Sequence, residues 1–236
     1  MTARVLRLYP AIASMAVLTA AAAPADDPRL TIRLAPGAPD ATRHVPFVDV
    51  TLVANDMHVA AGKPLFELSM VANTVVTSGK DLQGLTLSDA AGPIAVTTQD
   101  IAEDGSNTKR QWRAGRAVDG VITVRYRVPI DAAAPPLSLP QYEMRTEAGT
   151  FSAAGTAFLL LPTDTRPRRV DVRWNFVGYG KDGAGVSSFG VGDVTTRAAL
   201  PPQKLASAYY MGGRPGVAGP GKDGFFAAWQ GTPPLR

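Results

Sequence analysis

Two stretches of the chain have the glycine spacing of phosphate-binding loops. "GVAGPGKD" (216–223) places Gly216, Gly221 and Lys222 in register with G-x-x-x-x-G-K-[ST]. In that pattern backbone N–H groups wrap the phosphates, the lysine meets the outer ones, and a hydroxyl binds Mg²⁺. Asp223 stands where the hydroxyl belongs. A breaker cluster, "GGRP", precedes the stretch, and "GFFAAWQGTPP" comes after it. That segment is too short and broken for the helix whose N-terminus holds the anion. "GYGKDG" (178–183) fits G-x-G-x-x-G and comes after a strand-like segment. The Gly- and Ser-rich "AGVSSFGVGD" beyond it offers no helix, and no β-α-β unit follows to carry a ribose-binding acid. Both matches are rejected, so no nucleotide partner is expected. The glycines then mark turns and close backbone approach.

Other chemistry is sparse. The only histidines, His44 and His58, are fourteen residues apart in a strand-rich region, and HExxH is absent. Ser187 and Ser188 in "GVSSFG" lack the G-x-S-x-G elbow. Asp100, Glu103 and Asp104 beside "GSN" read as a solvated turn rather than a carboxylate pair. With no cysteine, disulfides, thiolate zinc sites and thiol nucleophiles are excluded. The sequence therefore names no catalytic residue, no metal ligand and no cofactor. Its aromatic clusters are more informative. Tyr209, Tyr210 and Met211 form one, and Phe225, Phe226 and Trp229 the other. In exposed coil they form a candidate interface; covering one edge of the core is the competing account.

The elements that would position these residues are strands. Val170, Val172, Trp174 and Phe176 alternate with polar residues, as do Ile122, Val124, Tyr126 and Val128. Period two of this kind predicts half-buried strands with one wet face. Residues 47–53 and 64–71 repeat it, and "LTIRL", "LTLSD", "IAVTTQ", "RQWRA" and "TAFLLLP" add shorter strands. No amphipathic run of three helical turns is found, and 20 prolines and 23 glycines leave little room for one. Turn signals recur at "ANDM", "AAGK", "SGKD", "DAAGP", "EDGSN" and "AVDG". The expected fold is all-β: one antiparallel β-sandwich-like domain over residues 26–200. Strong strands stop after Phe176, apart from one near "GDVTTRA", and residues 201–236 read as an irregular Gly/Pro-rich tail or connector.

The first 25 residues read as a cleaved signal peptide. Arg4 and Arg7 form the charged start, residues 11–23 the apolar run, and Ala23-Pro24-Ala25 the cleavage site. The apolar run is shorter than the roughly 20 residues a spanning helix needs. The expected location is the bacterial periplasm or outside, with no stable membrane span. Removing these residues deletes two of the 24 basic residues and none of the 20 acidic ones. The net charge falls to +2, which gives no argument for a nucleic-acid partner. "RPRR" (166–169), the densest basic run, reads as a solvated turn.

The order of features resembles the N-terminal β-domain of the glycyl aminopeptidase family of secreted zinc metallopeptidases. The carriers are "QWRAGRAVDGVITVRYRV" (111–128), "RTEAGTFSAAGTAFLLLP" (145–162), "RRVDVRWNF" (168–176), "GVSSFGVGD" (185–193) and "LASAYYMGG" (205–213). "FFAAWQGTPP" looks like the entrance to a following domain. In that family the HExxH-bearing catalytic domain comes next, and none of its positions has a counterpart in these 236 residues. The resemblance implies a non-catalytic domain that helps shape a peptidase, as the front piece of one or as an accessory module. Its partner would be a downstream or separate peptidase domain, or another envelope protein. The alternatives are a periplasmic β-sandwich that binds a glycan or extended peptide, and a hydrolase working through carboxylates alone.

Overall fold

A computed structural model describes residues 27–131, 141–222 and 224–231. The signal segment and Asp223 lie outside the described residues. Alternation of apolar and polar side chains accounts for most of the strands. β1 (Arg29–Pro36), β2 (Phe47–Val59), β3 (Pro64–Ala72) and the two-residue β4 (Val75–Val76) come first. β5 (Gln83–Asp89), β6 (Gly92–Pro93), β7 (Val96–Ala102), β8 (Thr108–Ala114) and β9 (Val118–Pro129) complete the first half. β10 (Arg145–Glu147), β11 (Thr150–Ala154), β12 (Leu161–Pro162) and β13 (Arg169–Trp174) are next. β14 (Ala184–Ser187), β15 (Gly190–Val191), β16 (Val194–Thr195), β17 (Tyr209–Gly213), β18 (Gly216–Ala218) and β19 (Ala227–Trp229) end the order. The one described α-helix, α1, is five residues long, Pro202–Ala206, and no described helix is long and apolar enough to cross a membrane.

The fold is all-β and sandwich-like. A seven-stranded sheet runs β16-β13-β1-β2-β9-β5-β6, with β1 and β13 parallel and the other neighbours antiparallel. A second sheet runs β12-β3-β8-β7, with β4 against β3. A third runs β10-β11-β17-β14-β15, and β18 and β19 form a separate hairpin. In β9, Ile122, Val124, Tyr126 and Val128 are buried while Arg125 and Arg127 are exposed, as period two requires. Inward residues of all three large sheets join one apolar cluster, including Ile32 and Leu52, Phe66 and Trp112, and Phe151 and Tyr210.

Five expectations are corrected, the first being "ANDM" (54–57), which lies within β2 rather than in a turn. "TAFLLLP" is not a strand. It is a 3-10 turn (Gly155–Ala157) and an irregular plug that reaches a strand only at Leu161. Phe158, Leu159 and Leu160 are all essentially inaccessible, so this run has no wet face and cannot alternate. "AVDG" (117–120) belongs mostly to β9 rather than to a turn. "RPRR" is not simply a solvated turn: Arg168 is 2% exposed, with a two-pronged pair to Asp164 and a contact with the Met57 sulfur. Lastly, residues 201–236 are not a separate tail. β17 sits between β11 and β14, and Leu205, Ala208 and Tyr210 are part of the common core.

Buried polar groups are placed where partners meet them. Asp171 is 4% exposed within β13. Burial pushes its carboxyl up, but the Thr195 hydroxyl, Arg29 and Arg173 outweigh that and hold it below the usual carboxylate value. The Tyr126 hydroxyl enters the core. It donates to the Phe158 carbonyl at 3.1 Å and accepts from the Leu160 amide at 3.0 Å, tying the irregular plug to β9. Burial raises its pKa far above that of a free phenol. Tyr126→Phe leaves both backbone groups without that partner. It should cost about 1–3 kcal/mol, read as a lower urea midpoint at unchanged m-value. An unchanged midpoint would show that the plug is held by packing alone.

Candidate functional site

The candidate interface lies on the third sheet and its appended hairpin. β17 is the middle strand: Ser152 pairs with Met211, and Met211 with Val186. Alternation along β17 splits its side chains. Tyr209 is 44% exposed and Met211 half-buried, while Tyr210 is fully buried between them. Tyr210 is therefore corrected from interface to core. Its ring meets Phe158 edge-on at 5.7 Å and Phe189 at 6.5 Å. Burial raises its pKa well above the phenol range.

The second aromatic cluster sits on the β18–β19 hairpin. Phe225 is 79% exposed, and Phe226 and Trp229 are half-buried. The Trp229 ring lies over Gly216, its partner across the hairpin, where any side chain would collide with it. Gln230 fastens the hairpin to β11. Its Nε2 donates to the Thr150 carbonyl at 2.8 Å, and its Oε1 accepts from the Ser152 hydroxyl at 2.9 Å. The "GPGK" segment is thus the turn of a hairpin. The Gly221 amide donates to the Phe225 carbonyl, closing the loop without a helix. The "GYGKDG" segment is likewise a turn with a 3-10 element, Gly180–Asp182, between β13 and β14.

Sequence reasoning missed what holds this sheet to the seven-stranded one. The Trp174 indole, at the end of β13, lies across Gly185 and Gly212, which face each other on β14 and β17. A Cβ on Gly185 would lie 2.2 Å from the indole Cδ2, and one on Gly212 2.6 Å from Cζ3. The indole N–H donates to the Gly192 carbonyl at 3.1 Å. Phe176 stacks on the ring at 5.8 Å, and Tyr179 meets Phe176 edge-on and donates its hydroxyl to the Gly37 carbonyl at 2.8 Å. Burial pushes the Tyr179 phenol up to about 12. The available signal was a tryptophan on a strand with glycines beyond it in "AGVS" and "YMGG".

The residues that could have carried chemistry are dispersed. His44 Nε2 is 3.0 Å from the Ile130 carbonyl. His58 is exposed and held by Asp56 and Asp119, whose hydrogen bonds raise its pKa. Asp100 pairs with Arg110, Glu103 with Lys109, and Asp104 accepts from Ser106 and Asn107 in the β7–β8 turn. Those turn donors, Asn107 first, draw the Asp104 carboxyl down to about 2. The Ser187 hydroxyl is 3.4 Å from the Gly190 carbonyl, and Ser188 accepts from the Tyr209 amide. Among the described residues no group of three His, Cys, Asp or Glu side chains is placed to hold a metal ion. These residues do not fit a catalytic zinc.

The Trp174 slot is open to test. Gly185→Ala should displace the indole and cost about 1–3 kcal/mol, with a red-shifted tryptophan emission. Native emission and an unchanged unfolding midpoint would show that the ring is not confined there.

No protein-family model matches the chain, and no curated protein matches its sequence. Solved structures do. An aminopeptidase N family protein from Idiomarina loihiensis is similar with a TM-score of 0.53 and 11% identity, over 84% of this chain and 32% of that one. An M1 zinc metallopeptidase from Deinococcus radiodurans gives 0.42 and 15%, over 81% of this chain and 42% of that one. Leukotriene A4 hydrolase from Saccharomyces cerevisiae gives 0.41 and 10%, over 83% and 30%. The chain spans about a third of the length of the Idiomarina protein. The likeness to the Idiomarina protein is one of fold.

Proposed function

We propose that this chain is an exported, non-catalytic β-domain that packs against a zinc-peptidase domain and helps shape it. That domain would be a further part of the same protein or a separate envelope partner, with a glycyl aminopeptidase-like enzyme as the narrower reading. The carrying observation is where apolar surface gathers. Six large hydrophobic residues are exposed among those described, and four of them, Val177, Val191, Tyr209 and Phe225, fall between β13 and β19. Large apolar side chains left facing water favour burial against another surface. The fold likeness supports the class of partner, and the dispersed titratable groups support a domain without chemistry of its own. Export rests on the character of residues 1–25.

A second reading has its own observation. β7 has seven residues, pairs only with β8, and presents an open edge with mostly exposed side chains. Such an edge can accept an extended peptide as an added strand. Amide protection along β7 when a peptide library binds would favour it over the docking reading.

Purified protein should hydrolyse no aminoacyl p-nitroanilide, with or without zinc. Zinc-dependent turnover that survives a mock-purification control would overturn the proposal. The isolated chain should also self-associate through the exposed aromatics. Tyr209→Ser with Phe225→Ser should weaken that association by about tenfold or more in sedimentation velocity. A native chain that stays monomeric at high concentration counts against the interface.

A further inference from the structure

The outer face of the seven-stranded sheet carries a charge pattern that the docking proposal does not use. Four residues lie in one register row across adjacent strands. Arg173 of β13 is opposite Arg33 of β1, Arg33 is opposite Thr51 of β2, and Thr51 is opposite Arg125 of β9. Residues opposite one another in register project from the same face. Arg173 is occupied elsewhere: it donates to Asp171, to the Thr195 hydroxyl and to the Val194 carbonyl on the β16 side. Arg33 and Arg125 are exposed, and neither guanidinium has a partner among the described residues. The Thr51 hydroxyl between them is also unpartnered among these residues. Two cations thus flank one hydroxyl, two strand spacings apart, roughly 10 Å from Cα to Cα.

Neighbouring charges do not cancel this pair. Asp49, one step along β2 on the same face, makes a two-pronged pair with Arg127 at 2.6 and 2.8 Å. The Arg127 guanidinium also covers the Phe47 ring at 3.5 Å, which fixes it in place. On the far side the next row is Asp171, Thr31, Val53, Thr123 and Ser88, and its one charge, Asp171, is taken up by Arg29 and Arg173. The surface is recessed on the Asp49 and Arg127 side. Pairing of β5 with β9 slips between Gln83 and Thr86, and Gly84 has a positive φ at the slip. The result is a groove of about 570 Å³ lined by Thr51, Gln83, Gly84 and Arg125, with Asp49 and Arg127 at its side. That volume is within the range of small-molecule sites.

We infer that a small phosphorylated solute binds on this face, its phosphate held between Arg33 and Arg125 over the Thr51 hydroxyl, with the rest of the molecule in the groove that Thr51 and Arg125, but not Arg33, line. The donor set selects the chemistry. One carboxylate is satisfied by a single arginine fork, as Asp49 is by Arg127. A tetrahedral phosphate has enough acceptor oxygens for two guanidiniums and a hydroxyl at once. Gln83 offers its side-chain amide to hydroxyls on the rest of the molecule. A recess favours a free solute over a flat lipid surface.

Pyrophosphate titrated calorimetrically into the full chain at low ionic strength is the test. The expected result is saturable binding with a Kd of about 1 mM or tighter. Arg33→Gln and Arg125→Gln should each weaken it at least about fivefold. Arg113→Gln, on the other sheet, should leave it within about twofold, and so should Tyr209→Ser with Phe225→Ser, which separates this proposal from the docking surface. Equal weakening by Arg113→Gln would reduce the effect to diffuse charge and overturn the site. Binding to phosphatidylglycerol vesicles with no response to pyrophosphate would overturn the solute in favour of a membrane surface. Absence of binding to either would also overturn it.

Discussion

The junction between the sheets depends on one aromatic ring in a slot of glycine backbone. Trp174 ends β13, a strand of the seven-stranded sheet, and its indole crosses Gly185 and Gly212 of the third sheet. A side chain at either glycine would occupy the volume of the ring. The slot therefore sets how closely the sheets approach. Phe151 packs against the indole at 6.3 Å between ring centres, and Phe158 and Tyr210 continue the aromatic contacts into the common core. Because each contact is part of one close-packed network, displacement of Trp174 is felt as far as β17. β17 in turn carries Tyr209 outward.

The same constraint makes sense of the glycine-rich sequence. "GYGKDG" and "GPGK" have phosphate-loop spacing, yet each closes a turn between strands. The physical difference lies in the element beyond the glycines. A phosphate loop needs a helix whose first amides remain free for the anion. Here the chain returns at once to a strand, β14 or β19, and its amides are used in pairing. Anion chemistry moves instead to arginine side chains on a sheet face, where backbone amides have no part.

Strands with one wet face were legible because alternation records burial directly. β2, β9 and most of β1 could be read this way, since Arg, Thr and Asp interleave with Val, Ile and Leu. Residues 155–161 could not. A segment buried on all sides shows the same apolar run whether it is strand, helix or irregular plug, and here a tyrosine hydroxyl from β9 decides the matter. β17 was hidden for a different reason. "YYMGG" runs two tyrosines and a methionine into two glycines, and its glycines look like breakers until the ring that covers Gly212, Trp174, is known. Sequence reasoning assigned all six residues of the two clusters to a candidate interface. It could not separate Tyr210 from Tyr209, because that depends on which face of β17 meets the core.

Position in the fold also explains why two surfaces of this domain can act independently. The exposed aromatics belong to the third sheet and the hairpin, which reach the seven-stranded sheet through Trp174 and the core. The Arg33–Thr51–Arg125 row is on the outer face of β1, β2 and β9, whose opposite face supplies Ile32, Leu52 and Val124 to that core. Strand alternation keeps the two faces chemically separate: a change among the outward arginines leaves every inward side chain in place. A contact on the third sheet, by contrast, bears on residues that are themselves half in the core, such as Met211 beside Tyr210. Coupling between the surfaces has two routes, the Trp174 slot, where the aromatic chain of the third sheet enters the seven-stranded one, and the common core.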